Sequence, residues 1–556
     1  MMIRLRTILG SFWDALWMKE TLVALIFLLA LIVFECIVLT VPLRLYVTKI
    51  AQREFAFGLG GLFLVLISWL WALAFFRASL TASGRVKIFC FLMFALAVFF
   101  EYGYQNAFSR FSSVEDLRVA LFDATSEQRR GSIAAYLDWR AALPAVVYGA
   151  LLFKFRATRR ASWKPIALVL AVFAIFFSSI SSFTNGQFPT VSLDAFLRTA
   201  VLSPWKWASG YHGPREQVFI HRQLDPKNNV VFVVDESIRG DHLGINGYQR
   251  NTTPYLAELQ TKGWLYNSGI ASSGGTCSEK SDSLLFTGMT PADLPDTTFE
   301  IRRRPNLFQY AKAAGYKTIF LDGQKETYWL GTSYDRQYID DWKPSSTFQG
   351  AENFDLDAVI GKKIASLVNN STGQFIFVIK RGVHYPYVAN FPATAAEWQP
   401  VDTVETEIDP ARKEQLVNTY DNALKYNLES FFLSLNVEHW QNKTVLVYTS
   451  DHGQTLSEHG ERHTHCGTAS DTAPTEANVP IFIVRREALL IDSAYRPSHA
   501  NLFATLLDLM NFPKEDRRYA YATSLLEAKA ADSRQRFFWV GDFSNRVLNG
   551  RVPFDR

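Results

Sequence analysis

The sequence predicts two parts of different character: an N-terminal helical domain that spans a membrane, and an α/β domain with a mostly parallel sheet flanked by helices. Five apolar stretches before residue 190 indicate the first part. After about residue 225, short β-branched and aromatic runs alternate with helical patterns, which is typical of α/β folds. A chain of 556 residues is also too long for a single hydrophobic core.

The apolar stretches lie at about 22–45, 55–76, 86–104, 141–154 and 165–185. The first exceeds the ~20 residues that a helix needs to cross a bilayer, and it is too long for the apolar core of a signal peptide. The stretch 141–154 is short enough to be a buried or interfacial helix instead. We expect a transmembrane domain with five spans over residues 1–188.

Basic residues predict the orientation of these spans. They are concentrated before the first stretch, between the second and third, and between the fourth and fifth. The positive-inside rule makes that side cytoplasmic, so five spans leave the second domain in the periplasm of a bacterial inner-membrane protein. The polar segment 105–140 then faces the periplasm. Residues 189–224 are predicted to form a linker with an interfacial amphipathic helix, and residues 225–556 the second domain.

Charge and cysteine content narrow the class of protein. A formal net charge of +4 is small for this length and gives no sign of a nucleic-acid-binding protein. Four cysteines form no disulfide framework. In an oxidising compartment Cys277 and Cys466 could pair, or both could remain small unpaired residues; the sequence leaves this open.

The elements of the second domain follow from its alternating pattern. Strands are predicted at 230–234, 318–321, 375–379, 444–448, 481–484 and 537–540, and helices at 253–263, 305–315, 355–369, 410–435 and 498–511. In a mostly parallel sheet, functional residues gather at the carboxyl ends of the strands.

Two predicted strands end on residues that bind metals. Asp235 and Glu236 follow one strand, and Asp451 and His452 follow another. Further candidates are the glycine- and hydroxyl-rich turn 272–281, His384, and the three histidines after His452, namely His459, His463 and His465. A mixture of carboxylates and imidazoles suits Zn²⁺ better than Mg²⁺ or Ca²⁺, which prefer oxygen ligands alone.

An ordered set of motifs resembles the membrane phosphoethanolamine transferases of the alkaline phosphatase and sulfatase superfamily. The motifs are Val233–Ser237, Thr252–Leu256, Thr276–Ser278, Gly382–Tyr387, Asn418–Asn422 and Ser450–Gly453. The resemblance covers nearly the whole chain, because that family has five N-terminal spans and a sulfatase-like periplasmic domain. It implies that Glu236, Asp451, His452 and the nucleophile surround one zinc, and that a second zinc is an option.

The nucleophile is inferred from the same resemblance. The family uses threonine in a Cys-Gly-Thr-x-Thr turn, from which this sequence departs. Two alignments, one on Gly275-Thr276 and one counted back from Leu284–Gly288, both place Ser278 at the nucleophile and favour it over Thr276.

A sulfatase-like nucleophile is the alternative reading of the same turn. It would be Cys277, oxidised to formylglycine. The Pro and Arg that accompany such a cysteine are absent, because Glu279 and Ser281 stand in their places. The sequence therefore favours the hydroxyl nucleophile.

The remaining site residues are also carried over from the resemblance. It implies that His384 and a later histidine lie near the phosphate and take part in catalysis. His465 is preferred to His463 as that histidine, and His459 is expected to be exposed. Lys325 resembles a family lysine that binds the substrate phosphate, although a solvated loop lysine is the alternative.

The function that the resemblance implies is transfer of phosphoethanolamine from phosphatidylethanolamine to a lipopolysaccharide or glycan acceptor, through a phosphoethanolamine-serine intermediate. Lipid A, core sugars and periplasmic glucan remain open as acceptors. Three alternatives are a phosphoglycerol transferase, a sulfatase-like hydrolase, and a catalytically inactive envelope sensor or lipid-binding regulator. We expect a monomer that binds no nucleic acid.

Overall fold

The computed structural model describes residues 19–38, 55–108, 112, 138–155, 164–172, 191–208, 211 and 214–555, except 326–329, 332, 349–352, 405–407, 462, 468–471, 542 and 544–549. The chain divides into two compact units, Met1–Gly210 and Tyr211–Arg556. The described part of the first unit is helical, and the second unit contains a mixed sheet.

The first unit contains long apolar helices. They are α1 (Lys19–Val38), α2 (Phe55–Thr81), α3 (Gly84–Phe108), α4 (Ala142–Lys154) and α5 (Ser192–Ala208), and residues 164–172 are also helical. Within the described residues, Lys19–Val38 and Gly84–Tyr104 are long and apolar enough to cross a membrane. The 13 residues of α4 rise only about 20 Å, less than the ~30 Å thickness of a bilayer core.

The five predicted spans are therefore supported in part. Helices occupy the positions of the first four apolar stretches and the beginning of the fifth. The remainder of the fifth stretch, and residues 113–137 of the predicted periplasmic segment, lie outside the described residues. The number of spans and their orientation remain predictions.

Aromatic side chains hold the first unit together. Phe27 of α1 lies 4.9 Å from Phe76 of α2 and 5.3 Å from Tyr148 of α4, measured between ring centroids. On the opposite face of α1, large apolar side chains such as Ile26 and Val33 are exposed. An apolar outer face around an aromatic core is the pattern expected of helices that contact lipid.

The second unit is built on a seven-stranded sheet with the order β2-β7-β6-β1-β5-β3-β4. Its strands are β1 (Asn229–Asp235), β2 (Leu265–Ser272), β3 (Lys317–Asp322), β4 (Asp341–Lys343), β5 (Gln374–Ile379), β6 (Thr444–Ser450) and β7 (Asn478–Val484). Strand β7 pairs antiparallel with both of its neighbours, and the other pairings are parallel. The predicted mostly parallel sheet is confirmed.

Helices cover both faces of this sheet. They are α6 (Pro254–Thr261), α7 (Ser278–Thr287), α8 (Glu300–Arg303), α9 (Leu307–Ala313), α10 (Leu356–Asn370), α11 (Lys413–Leu435) and α12 (Ala500–Leu509). Along β1, Val231 and Val233 pack with α6, α10 and α11, whereas Phe232 packs with α7, α9 and α12. This alternation explains why β1 is apolar throughout, since both of its faces are buried.

The structure departs from the sequence prediction at four strands, of which the short strands Asp341–Lys343 and Arg551–Pro553 were not predicted. The run 537–540 was expected in the main sheet but forms β8 (Phe537–Trp539), which pairs with β9 (Arg551–Pro553) in a separate sheet. Strand β2 was not predicted, because Asn267, Ser268 and Gly269 interrupt its apolar pattern at a bulge in the ladder.

Candidate metal and nucleophile site

The two strand ends singled out in the sequence are neighbours in the sheet. Strands β1 and β6 pair in parallel, with Asp235 opposite Ser450. The amide of Asp451 donates a hydrogen bond to the carbonyl of Asp235 at 2.8 Å, which continues the ladder beyond the strands. This register places Glu236 beside Asp451 and His452, and ligand atoms of the three side chains lie within 4.8 Å of one another.

The imidazole of His452 is oriented to bind a cation. Its Nδ1 lies 2.7 Å from the carbonyl oxygen of Gly453, which can only accept, so Nδ1 carries the proton and Nε2 offers its lone pair. That Nε2 lies 3.5 Å from Oε1 of Glu236 and 3.3 Å from Oδ2 of Asp451. Three electron-rich atoms thus converge on one point.

The carboxylate of Asp451 has one oxygen available to a cation. Its Oδ1 accepts hydrogen bonds from the amides of Ser237 and His452, but within the described residues its buried Oδ2 has no hydrogen-bond partner. Burial and the nearby charge of Glu236 raise the pKa of Asp451 well above its ordinary value. A divalent cation would satisfy Oδ2 and remove this repulsion, so the residues fit a metal.

The hydroxyl of Ser278 completes the cluster. Ser278 is the first residue of α7, and its Oγ lies 3.2 Å from Oε2 of Glu236 and 3.2 Å from Nε2 of His452. Unpaired amides and the helix dipole at this end favour an alkoxide or a bound phosphate. Of the two hydroxyls that the sequence offered, the structure brings that of Ser278 into contact with the candidate ligands.

A disulfide connects the turn of the nucleophile to the histidine-rich loop. Cys277, which caps α7, is bonded to Cys466, and the amide of Cys466 donates to the carbonyl of Thr276 at 3.0 Å. The sequence left open whether Cys277 and Cys466 pair, and in the structure they do. This disulfide also opposes the sulfatase-like alternative, because a sulfur held in a disulfide cannot be converted to formylglycine.

Among the later histidines, His465 lies nearest the cluster. Its ring stacks on that of His452 at a centroid distance of 4.3 Å and lies 6.2 Å from the ring of His384. Burial and the neighbouring imidazoles lower the pKa of His465 well below its ordinary value, so this ring is neutral. By contrast, His463 contacts Glu476, and His459 is exposed as predicted.

The loop after β3 contributes a residue that the sequence did not reveal. The side-chain amide of Gln324 donates to Oε2 of Glu236 at 3.1 Å and to the carbonyl of Lys380 at 2.9 Å. The predicted phosphate ligand Lys325 follows it, and the backbone amide of Lys325 donates to Asp322. An uncharged amide in a short loop carries no motif signal, whereas the binding of phosphate by Lys325 stays a prediction.

The side chain of Asp235 serves the fold rather than the metal cluster. Its Oδ2 contacts the ammonium of Lys380 and accepts a hydrogen bond from Tyr448 at 2.5 Å. Both charged side chains are completely buried, and Lys380 also donates to Asn427 at 2.7 Å. Asp235 is therefore the counter-ion of a buried lysine. Sequence alone did not reveal this lysine, which follows the apolar strand β5.

A glycine lets this strand end approach the next one. Gly382 has a φ of 61°, and a Cβ added there would lie 2.5 Å from Oδ1 of Asp235 and 2.6 Å from the amide nitrogen of Glu236. Any side chain would push the metal ligand out of place. The glycine of the His384 motif is thus required by packing against Glu236.

His499 holds the turn before the nucleophile and was also missed by the sequence. Its Nδ1 accepts a hydrogen bond from the amide of Gly274 at 3.2 Å and contacts the hydroxyl of Ser281, and its Nε2 contacts the hydroxyl of Thr449. The ring is buried, and this burial lowers its pKa from 6.5 to about 3. A neutral imidazole therefore links strand β6 to helix α7.

This pKa predicts how stability depends on pH. Between pH 6.5 and about 3 the unfolded chain binds a proton at His499 and the folded protein does not. The free energy of unfolding therefore falls as the pH is lowered through this range, by up to about 1.4 kcal/mol per pH unit from this residue. Thermal unfolding of the wild type and His499→Gln at several pH values should show a weaker pH dependence in the variant; equal dependence would contradict the assignment.

The disulfide should contribute to stability as well. Replacement of Cys466 by Ser is expected to lower the free energy of unfolding by roughly 2–4 kcal/mol, because the unfolded chain loses a constraint across 189 residues. Thermal unfolding with and without a dithiol reductant would measure this, with Cys36→Ser, a free cysteine, as the control. A wild type unaffected by complete reduction would contradict the expectation.

Comparison with known proteins places this site in a family. The sulfatase family model matches residues 228–512, more than half of the chain. The Kdo(2)-lipid A phosphoethanolamine 7''-transferase of Salmonella typhimurium is 30% identical over 285 residues, which cover 50% of this chain and 47% of that protein. Phosphoethanolamine transferase EptA of Escherichia coli is 27% identical over 315 residues, or 53% of this chain and 55% of that protein. The chain thus spans about half the length of these curated relatives.

Solved structures share the fold. The integral membrane protein lipooligosaccharide phosphoethanolamine transferase A of Neisseria meningitidis matches with a TM-score of 0.64 at 19% identity, covering 88% of this chain and 97% of that one. The C-terminal periplasmic domain of EptC from Escherichia coli, solved in complex with Zn, matches with a TM-score of 0.51 at 19% identity over 61% of this chain and 97% of that one. The chain therefore belongs to the sulfatase family, as a relative of the membrane phosphoethanolamine transferases.

Proposed function

We propose that this protein is a zinc-dependent transferase that moves phosphoethanolamine from phosphatidylethanolamine to a sugar or phosphate of lipopolysaccharide or a related envelope glycan. The observation that carries the proposal is the position of the Ser278 hydroxyl, 3.2 Å from both Glu236 and His452 at the beginning of a helix. The named relatives, which are phosphoethanolamine transferases, support the choice of headgroup.

The proposed metal ligands are Glu236, Asp451, His452 and the Oγ of Ser278. Two carboxylates, one imidazole and one hydroxyl form a donor set suited to zinc, and the unpartnered Oδ2 of Asp451 supports a cation at this point. When bound, zinc would lower the pKa of the Ser278 hydroxyl and stabilise negative charge on the phosphoryl oxygens. We propose one such ion and leave a second open.

The chain's own residues would then carry out two transfers. In the first, Oγ of Ser278 bonds to the phosphorus of the donor lipid while the bond from phosphorus to the glycerol oxygen breaks, so that diacylglycerol leaves with a proton. In the second, an acceptor hydroxyl attacks the phosphoethanolamine-serine and restores the free serine. The neutral imidazole of His465 would take the proton from the attacking acceptor hydroxyl. His384 lies on the exposed side of the same cluster.

The membrane helices support a lipid donor. An enzyme held in the bilayer meets phosphatidylethanolamine at the high effective concentration of the membrane itself, whereas a hydrolase of soluble substrates would gain nothing from such helices. A multi-pass inner-membrane protein with a periplasmic catalytic domain, acting as a monomer, is part of the same proposal. The acceptor, whether lipid A, a core sugar or a glucan, is best identified by mass spectrometry of the envelope glycolipids with and without the gene.

The alternatives predict different observations. A phosphoglycerol transferase would share the ligands and consume a different phospholipid, so labelled donor lipids distinguish it. A sulfatase would need Cys277 free for oxidation, and the disulfide to Cys466 opposes this. An inactive sensor or lipid-binding regulator would have no use for the converging donors of Glu236, Asp451 and His452.

The variant Ser278→Ala tests the nucleophile. It is expected to reduce phosphoethanolamine transfer at least 10³-fold, because no other hydroxyl takes its position, while thermal unfolding stays near that of the wild type. Transfer is measured with ethanolamine-labelled phosphatidylethanolamine, and the trapped serine adduct by mass spectrometry. The matched control is Thr276→Ala, which should keep most of the activity. The reverse pattern would assign the nucleophile to Thr276.

The variant His452→Ala tests the metal ligands. Removal of one of the four proposed ligands should lower zinc content well below one ion per chain, measured by elemental analysis of the purified protein. His459→Ala is the control, because His459 is an exposed histidine of the same loop. Equal zinc content in both variants would contradict the proposed ligand set.

A further inference from the structure

One residue links the two acidic ligands, and its backbone conformation is unusual. Ser237 follows Glu236 and has a φ of 65°, the left-handed region that residues other than glycine rarely adopt. In this conformation its amide donates to Oδ1 of Asp451 at 2.9 Å, and its hydroxyl donates to Oε1 of Glu236 at 2.5 Å. The orientation of both carboxylates therefore depends on a backbone conformation that needs outside support.

That support comes from a tyrosine on α11. The hydroxyl of Tyr420 donates to the carbonyl of Ser237 at 2.8 Å and accepts a hydrogen bond from the amide of Arg239, also at 2.8 Å. A single phenol oxygen thus holds the backbone on both sides of Ile238. The side chain is completely buried, and its ring packs edge-on against that of Tyr387 at a centroid distance of 5.0 Å.

We propose that Tyr420 is a positioning residue for the metal and nucleophile site, which keeps Ser237 in its left-handed conformation and thereby orients Glu236 and Asp451. The inference rests on the proposed function, because it assumes that these two carboxylates hold the zinc. It also gives a role to the motif Asn418–Asn422, whose function the sequence did not explain. Tyr420 itself does not touch the reacting atoms.

A second tyrosine of α11 separates this role from ordinary packing. The hydroxyl of Tyr426 donates to Oδ1 of Asp355 at 2.8 Å. Asp355 lies at the beginning of α10, so this bond joins two helices and contacts none of the metal ligands. Replacement of either tyrosine by phenylalanine removes one hydroxyl from the same helix, but only the Tyr420 hydroxyl contacts the backbone next to Glu236.

The test compares full-length wild type, Tyr420→Phe and Tyr426→Phe in detergent, each checked for folding by thermal unfolding. Zinc affinity is measured by competition with a chelator of known affinity, which does not depend on activity. Tyr420→Phe is expected to bind zinc 10–100-fold more weakly, and Tyr426→Phe within about twofold of the wild type. At saturating zinc, kcat of Tyr420→Phe should stay reduced with an unchanged KM for phosphatidylethanolamine.

A double-variant cycle distinguishes this positioning role from a general loss of packing around Tyr420. Glycine adopts a φ of about 65° without strain, so Ser237→Gly should need the tyrosine less. The loss of zinc affinity on changing Tyr420 to Phe should then be smaller in the Ser237→Gly background than in the wild type. Equal losses in both backgrounds would overturn the proposal.

Two further outcomes separate this proposal from the function on which it rests. A folded Tyr420→Phe with wild-type zinc affinity and kcat overturns the role of Tyr420 and leaves the proposed function intact. A wild type that binds no zinc overturns the proposed function, and the role of Tyr420 in a zinc site with it.

Discussion

The pairing of β1 with β6 is the interaction on which the candidate site depends. Because the two strands run in parallel with Asp235 opposite Ser450, the segments that follow them leave the sheet side by side at the same edge. The hydrogen bond from the amide of Asp451 to the carbonyl of Asp235 then fixes the two ends against each other. These backbone hydrogen bonds hold Glu236 and Asp451 close together despite the repulsion of their charges. The sheet thus enforces an arrangement that the side chains alone would not adopt, and a bound cation would relieve the repulsion.

Around this edge lie side chains that hold the proposed metal ligands in place and are not themselves among those ligands. Lys380 and Asp235 neutralise each other beneath the site, and Gln324 connects Lys380 to Glu236. These bonds come from β5 and the loop after β3, the strands next along the sheet from β1. Each ligand is therefore restrained by the element beside it. A displacement of Glu236 would break its hydrogen bonds to Ser237 and Gln324.

The sequence predicted the parts of the site that depend on local pattern. The apolar strands 230–234 and 444–448 and the residues that follow them could be found because strand length and burial are local properties. Ser278 was inferred instead from the resemblance to a family motif, and its role as nucleophile stays a proposal. Residues such as Gln324, Lys380 and His499 could not be found, because their roles arise from contacts across 56 to 225 residues. Pairing of Cys277 with Cys466 was open for the same reason.

The restraints on the nucleophile differ in kind from those on the metal ligands, and the difference follows from their positions. Glu236 and Asp451 extend directly from paired strands, so backbone ladder bonds fix the positions of their main chains. Ser278 follows a turn outside the main sheet, and this turn pairs with Trp539 of β8 at a single bridge instead of along a ladder. In place of a ladder, the imidazole of His499 bonds to the turn at Gly274, and the disulfide from Cys277 holds its other end. A neutral buried ring and a covalent bond would therefore supply the rigidity that the proposed attack of Ser278 on phosphorus requires, since the reacting oxygen must be held within a fraction of an ångström.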